Sequence, residues 1–271
     1  MTDNAITQAL ENVRIVLVGT THSGNIGSSA RAMKTMGLSD LHVVNPCKFS
    51  ARNGDAHALA SGALDVLSGA QRHTDLASAI SDCGVVIGAS ARLRASRWPQ
   101  LDPVEAAEKL LEYSENQPVA LVFGRERSGL SNDELDHCQY LTHINANPEY
   151  SSLNLAMAVQ VYAYTLRMQF LNSVKSRVLQ SPETDTMHPD DVPATAGELN
   201  FLFTRLEKLL DKVDFLFQQD PQYMVRKIKR MIYRAELEHK EVNIVQGILT
   251  SIENKINKLE TQLSQNTTES E

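Results

Sequence analysis

The chain of 271 residues predicts an α/β protein built on a parallel sheet, followed by a small all-helical domain. Three observations carry that prediction. Short aliphatic runs show little alternation, as strands covered on both faces do. Helical patterns with clear start signals lie between them. Beyond a polar stretch, helical periodicity continues without any strand. Residues 13–18 (VRIVLV) form the first predicted strand, ending at Gly19, and a helical pattern follows from about Gly27 to Met36. Residues 41–44, 85–88 and 119–123 read as further buried strands. Asp102-Pro103-Val104-Glu105 puts an N-cap Asp, a Pro at the first helical position and a Glu at the third, and Ser131-Asn132-Asp133-Glu134 is a second capping box. Residues 155–171 form an almost wholly apolar helix. The expected organisation is an α/β domain over 1–172, a flexible linker over 173–196 rich in Ser, Pro, Asp, Thr and Glu, a three-helix domain over 197–260, and a disordered tail over 261–271.

Composition bounds the function. A hydrophobic content of 42% is ordinary for a globular protein. The N-terminus lacks a basic and then apolar leader, and no stretch is long and apolar enough to span a bilayer, so the expectation is a cytoplasmic protein with no membrane partner. Cys47, Cys83 and Cys138 are far apart and never in a CxxC pair, which predicts reduced thiols and no metal site. A net charge of −7 gives no hint of nucleic acid, so a polyanionic partner would need a locally basic face.

Ligands of open α/β sheets bind beyond the C-terminal strand ends, where four segments stand out. Residues 19–24 have the glycine spacing of a P-loop, but Asn25 and Ile26 occupy the positions of its Lys and Ser/Thr. There is no GxGxxG, and the second strand ends in Asn45 where a dinucleotide site would offer a carboxylate, which argues against NAD. Arg31 lies one turn from Gly27, as an ion-pair partner or a substrate clamp. Residues 88–98 hold Arg92, Arg94, Arg97 and Trp98, suited to phosphates and an unstacked base or, for Trp98 beside Pro99, to pinning the loop. In residues 124–130 two glycines bracket alternating charge around Glu126, which suggests backbone approaching a ligand closely. The polar run 147–154 precedes the apolar helix, where unpaired N–H groups can bind a small polar ligand; Ser151 and Ser152 are either caps or ligand residues. In the helical domain, residues 221–235 contain no acid, and an apolar stripe centred on Ile228 would place Arg226, Lys229, Arg230, Tyr233 and Arg234 opposite it, with Lys227 at the flank. That face is either a phosphate-binding surface with Tyr233 for stacking, or a solvated one.

Together, Asn25-Ile26-Gly27-Ser28-Ser29-Ala30-Arg31, the string LVFGRERSGL over 121–130 and NPEYSSLNLAMAVQ from Asn147 resemble the three motifs of the SPOUT methyltransferases. Within them they are most similar to the TrmJ branch of tRNA (cytidine/uridine-2'-O) methyltransferases. The resemblance covers about residues 10 to 170, and the helical tail less specifically. It implies a domain with a C-terminal trefoil knot, a homodimer, and S-adenosyl-L-methionine held among Ala89, Ser90, Ala91, Gly124, Ile144, Ser151, Ser152 and Leu153. Ala89 stands where the branch commonly has Thr, leaving backbone contacts there. The implied catalytic group is Arg31, as stabiliser of a developing alkoxide, with Asn25, Glu126, Ser152 and Asn154 shaping the site. The implied acceptor is tRNA, at C or U of nucleotide 32 in the anticodon loop, with Arg92, Arg94, Arg97, Arg226, Lys229, Arg230 and Arg234 as phosphate contacts. The alternative is a non-catalytic RNA-binding module on the same fold. The apolar helix 155–171 would pack on its own sheet and on a partner subunit, or serve as a central core helix.

Overall fold

The computed structural model describes residues 10–91, 98–179, 192–216 and 221–268. They fall into two compact units, Met1–Thr186 and Met187–Glu271. The first runs β1 (Val13–Val18), α1 (Ser23–Met36), β2 (Leu41–Val44), α2 (Gly54–Ala60), α3 (Leu64–Gly69), β3 (Gln71–His73), α4 (Leu76–Ile80), β4 (Val85–Ala89), β5 (Gln100–Leu101), α5 (Pro103–Ser114), β6 (Val119–Phe123), α6 (Asn132–Leu135), β7 (Tyr140–Thr142) and α7 (Leu155–Leu179). The seven strands form one sheet in the order β3-β2-β1-β6-β4-β7-β5, and every pairing is parallel. The apolar runs arise because β1, β2 and β6 are buried along their whole length, with Arg14 of β1 and His42 of β2 buried as polar exceptions beside Asp40.

Both predicted capping boxes form: Asp102 accepts from the Val104 and Glu105 N–H groups, and Ser131 from Glu134. Three strands carry no hydropathy signal. β3 is mostly exposed, β5 has two residues, and β7 is only three residues long. Helix α1 starts at Ser23, a turn before the predicted position, so Gly24 and Asn25 belong to its first turn and not to a loop. Within it, a Cβ on Gly27 would sit 2.1 Å from the Ala56 carbonyl oxygen of α2, so only glycine lets the two helices approach this closely. Helix α7 runs on to Leu179, past residue 173 where the linker was expected, and Val174 still packs against the core.

The second unit consists of α8 (Ala196–Lys212), α9 (Pro221–Arg234) and α10 (His239–Thr268). A capping box of Thr195 and Glu198 starts α8. Leu199, Leu202, Phe203, Leu209, Val242 and Leu249 form its core, and ion pairs Arg205–Glu253 and Lys212–Glu260 join α8 to α10. Residues 261–268, expected to fray, continue α10.

Candidate active site

The loop after β1, the loop after β6 and the start of α7 meet at Glu126. Its carboxylate accepts from the Thr21 N–H at 3.1 Å, the Thr21 hydroxyl at 2.9 Å, the His22 N–H at 3.3 Å and the Asn25 amide at 2.9 Å. Partial burial alone would raise its pKa, but these donors, Asn25 foremost, bring it down to about 2. Glu126 is therefore a fixed anion at neutral pH. The Asn25 carbonyl oxygen in turn accepts from the Asn154 amide at 3.0 Å. Asn154 Oδ1 accepts from the Ala156 N–H at 2.9 Å, which makes Asn154 the cap of α7. Ser151 and Ser152, offered by the sequence as caps or ligand residues, lie exposed before that cap.

The segment 124–130 is a tight turn closed by two hydrogen bonds between Arg125 and Gly129, at 3.2 and 2.9 Å. Gly124 is needed there because a Cβ on it would lie 2.1 Å from the Gly129 carbonyl carbon. The turn is anchored by the Arg125 guanidinium, which donates both of its terminal nitrogens to Glu134 at 3.0 Å, a bidentate pair of the kind that fixes geometry. Glu134 also closes the α6 capping box through the Ser131 N–H at 2.7 Å.

Between this turn, the end of β4 and the approach to α7 lies a cavity of about 280 Å³. Ala89, Ser90, Ala91, Gly124, Ile144, Ser151, Ser152 and Leu153 all line it, so residues far apart in the chain and named for one ligand surround one space. Its inner wall is Phe123, Leu130, Leu135, Ala158 and Tyr162. The Tyr162 hydroxyl, 3.1 Å from Thr142 Oγ1, is pushed up to about 12 by burial and stays neutral. Apolar side chains combined with backbone of small residues suit an adenosyl group, so the residues present fit the expected cofactor. Among the described residues no group of His, Cys, Asp and Glu side chains could hold a metal ion, and no helix is long and apolar enough to cross a membrane.

Arg31 is exposed on α1, about 9 Å along the helix from Asn25, and makes no hydrogen bond or ion pair with the described residues. Arg92, Arg94 and Arg97 lie outside the described residues. On α9 the inner face is centred nearer Val225 than Ile228. Tyr233 packs edge-on against Phe203 with ring centroids 5.2 Å apart, and the Lys229 ammonium lies 5.5 Å from the same ring. Tyr233 is thus half-buried with its ring turned onto the core, and Lys229 borders the core. The difference arises because 225, 229, 232 and 233 share a face at helical spacing, and the long Lys229 stem covers apolar surface there. Arg226 and Arg230 are half-buried and Arg234 is exposed. Sequence reasoning missed Thr21, His22 and Glu134. The backbone N–H groups of the first two carry no signature, but Glu134 was already visible in its capping box.

Comparison with known proteins places this geometry in a family. The sequence model of the SpoU rRNA Methylase family matches residues 12–164, and that of the tRNA methyltransferase TrmJ C-terminal domain matches residues 197–262. The tRNA (cytidine/uridine-2'-O-)-methyltransferase TrmJ of Salmonella typhimurium is 48% identical over 244 residues, covering 90% of this chain and 97% of the relative. That of Cronobacter sakazakii is 46% identical over 249 residues, covering 92% and 99%. Among solved structures, TrmJ from Z. mobilis superposes with a TM-score of 0.75 at 31% identity, covering 89% of this chain and 98% of that one. A probable methylase family protein from Haemophilus influenzae gives 0.59 at 43% identity, covering 92% and 99%. The chain belongs to the SpoU methylase family, in its TrmJ branch.

Proposed function

We propose that the protein transfers a methyl group from S-adenosyl-L-methionine to the ribose 2'-hydroxyl of cytidine or uridine in tRNA, at nucleotide 32 of the anticodon loop. The carrying observation is the convergence of three motif segments on one hydrogen-bonded cluster, Glu126–Asn25–Asn154, beside a cavity that two of them line. When bound, the cofactor's sulfonium supplies an electrophilic methyl group. Ala89, Ser90, Ala91 and Gly124 would hold it by backbone, Ile144 and Leu153 by apolar contact, and Ser151 and Ser152 at the approach to α7.

The chain's own residues work chiefly by positioning. Glu126, ionised and saturated with donors, is too weak a base to take the hydroxyl proton. It fixes Asn25, and through Asn25 and Asn154 it sets the start of α7 against the start of α1. The Arg31 guanidinium offers N–H donors and no acceptor, so its part is electrostatic and not that of a base. It stabilises the charge that develops on the 2'-oxygen and orients the neighbouring phosphate.

The same reading includes the trefoil knot, supported by the path of residues 143–154. Between β7 and α7, Ile144, Ser151, Ser152 and Leu153 of this segment line the cavity beside 89–91 and 124–130. It includes a homodimer, supported by the exposed Met157, Tyr164 and Met168 on a helix whose other face is buried. It also includes phosphate contacts from Arg92, Arg94, Arg97, Arg226, Lys229, Arg230 and Arg234, and action in the cytosol, where the substrate is. Titration calorimetry combined with transfer of labelled methyl groups tests it: S-adenosyl-L-methionine binds, NAD and ATP do not, and label enters tRNA. Cofactor and RNA binding without incorporation would mark a binding module.

A further inference from the structure

Residues 45–54 (NPCKFSARNG) join β2 to α2, contain no acid, and carry two cations, Lys48 and Arg52. The segment is held at many points. The Cys47 N–H donates to the Thr20 carbonyl at 2.9 Å. The Arg72 guanidinium donates to the Phe49 carbonyl at 3.1 Å and lies 3.9 Å over the Phe49 ring. His57 Nδ1 donates to the Ala51 carbonyl at 2.8 Å, and the Arg52 N–H to the Ser50 hydroxyl at 3.1 Å. Arg72 is thus committed to the loop itself, whereas Lys48 and Arg52 project into solvent and make no side-chain hydrogen bond or ion pair with the described residues. Asp55, exposed at the start of α2, adjoins them without pairing.

One end of this segment is bonded to the chain that holds Glu126, and the other lies close to it. At one end Thr20 precedes Thr21, whose N–H and hydroxyl bind the carboxylate. At the other, the Asp55 Cβ lies 3.8 Å from where a Cβ on Gly24 would sit, and Gly24 is the neighbour of Asn25. In the sheet, β2 flanks β1 on the side away from β6, β4 and β7, where the cavity opens. The cavity, the Glu126–Asn25–Asn154 cluster and the Lys48/Arg52 segment therefore follow one another along the C-terminal edge of the sheet.

We propose that Lys48 and Arg52 form a phosphate-binding tract for the single-stranded acceptor RNA next to the target ribose, on the side opposite the cofactor. A strand whose ribose lies at the cluster must continue past one of its two sides. Fixed backbone beneath two uncommitted cations suits the repeating charge of such a strand, in a protein whose net charge of −7 would otherwise repel it. The proposal rests on the methyl-transfer reading above.

The test compares full-length wild type with Lys48→Gln/Arg52→Gln, measuring KM for tRNA, kcat at saturating tRNA, cofactor Kd, and tRNA Kd across a salt series. The expected result is a KM for tRNA raised about tenfold, with kcat and cofactor Kd within twofold of wild type. The slope of log Kd against log salt should fall by about 1.4, as for two contacts to a single strand. The charge-preserving Lys48→Arg/Arg52→Lys variant should restore both KM and slope. An unchanged KM and slope in the Gln variant would overturn the tract while leaving methyl transfer standing. A loss of kcat and cofactor binding with the slope unchanged would also overturn it, since that is damage to the site. A wild type that transfers no methyl to tRNA would overturn the parent reading and the tract with it.

Discussion

In the α/β unit the groups at the edge of the sheet hold one another: Glu126 binds Thr21, His22 and Asn25, Asn25 binds Asn154, and Asn154 caps α7. In the helical unit the expected RNA contacts instead stand along α9, which has Val225 as its buried residue and is packed by an amphipathic face. One arrangement fixes distances between residues far apart in sequence. The other supplies positive charge along a helix and asks little of any single position. A change in the first should therefore alter chemistry sharply, and a change in the second should alter binding gradually.

The largest expected effect is at Arg31. Steady-state turnover with tRNA should fall by about 10²-fold or more in Arg31→Ala and nearly as far in Arg31→Lys, with cofactor Kd unchanged. Near-normal turnover in Arg31→Ala would remove the charge-stabilising role. Glu126→Gln sets an amide where Thr21 and His22 present N–H donors. Its unfolding free energy, from denaturant melts, should fall by about 1.5–3 kcal/mol, and its turnover by about tenfold. Because folding depresses the Glu126 pKa to about 2 from an ordinary 4.5, its contribution to stability is full above pH 4.5 and is lost as pH falls through about 2. The wild-type minus Glu126→Gln stability difference should shrink over that window. A constant difference would mean that the carboxylate's charge does not hold the loops.

Gly124→Ala sharpens the same side of the comparison. Its Cβ would be forced against the Gly129 backbone at 2.1 Å, so cofactor affinity should drop and thermal unfolding should show a loss of about 1–3 kcal/mol. Retained affinity would show that the turn is not a wall of the cofactor site. The smallest effect belongs to α9. Arg234→Gln should weaken tRNA binding only a few-fold and reduce the salt slope by about 1, without changing kcat. A large fall in kcat there would break the division of labour between the units.

The sequence made much of this legible, and the exceptions have physical causes. β1, β2 and β6 were visible because strands covered on both faces are mostly apolar, the buried Arg14 and His42 being paired with Asp40, whereas β3, β5 and β7 are too short or too polar to leave a pattern. The early start of α1 was hidden because its N-cap, His22, makes no side-chain cap hydrogen bond and the first turn has no acidic residue, so no start signal marks it. Family resemblance named the residues around the cavity, and the fold brings those residues to one space. It could not show that Asn154 caps α7 in place of Ser151 or Ser152, because capping is settled by the backbone path. The α9 face was misjudged by about 60° around the helix, enough to turn Tyr233 from solvent onto the core, since Phe203 on α8 decides which side is covered.

The most direct test of the account is nucleoside analysis of tRNA after incubation with the full-length protein and S-adenosyl-L-methionine, with the modified position mapped. The account predicts 2'-O-methylcytidine or 2'-O-methyluridine at nucleotide 32, absent when Arg31→Ala replaces wild type. Methylation of a base instead of a ribose, or tRNA recovered unmodified by a protein that binds both cofactor and tRNA, would contradict it.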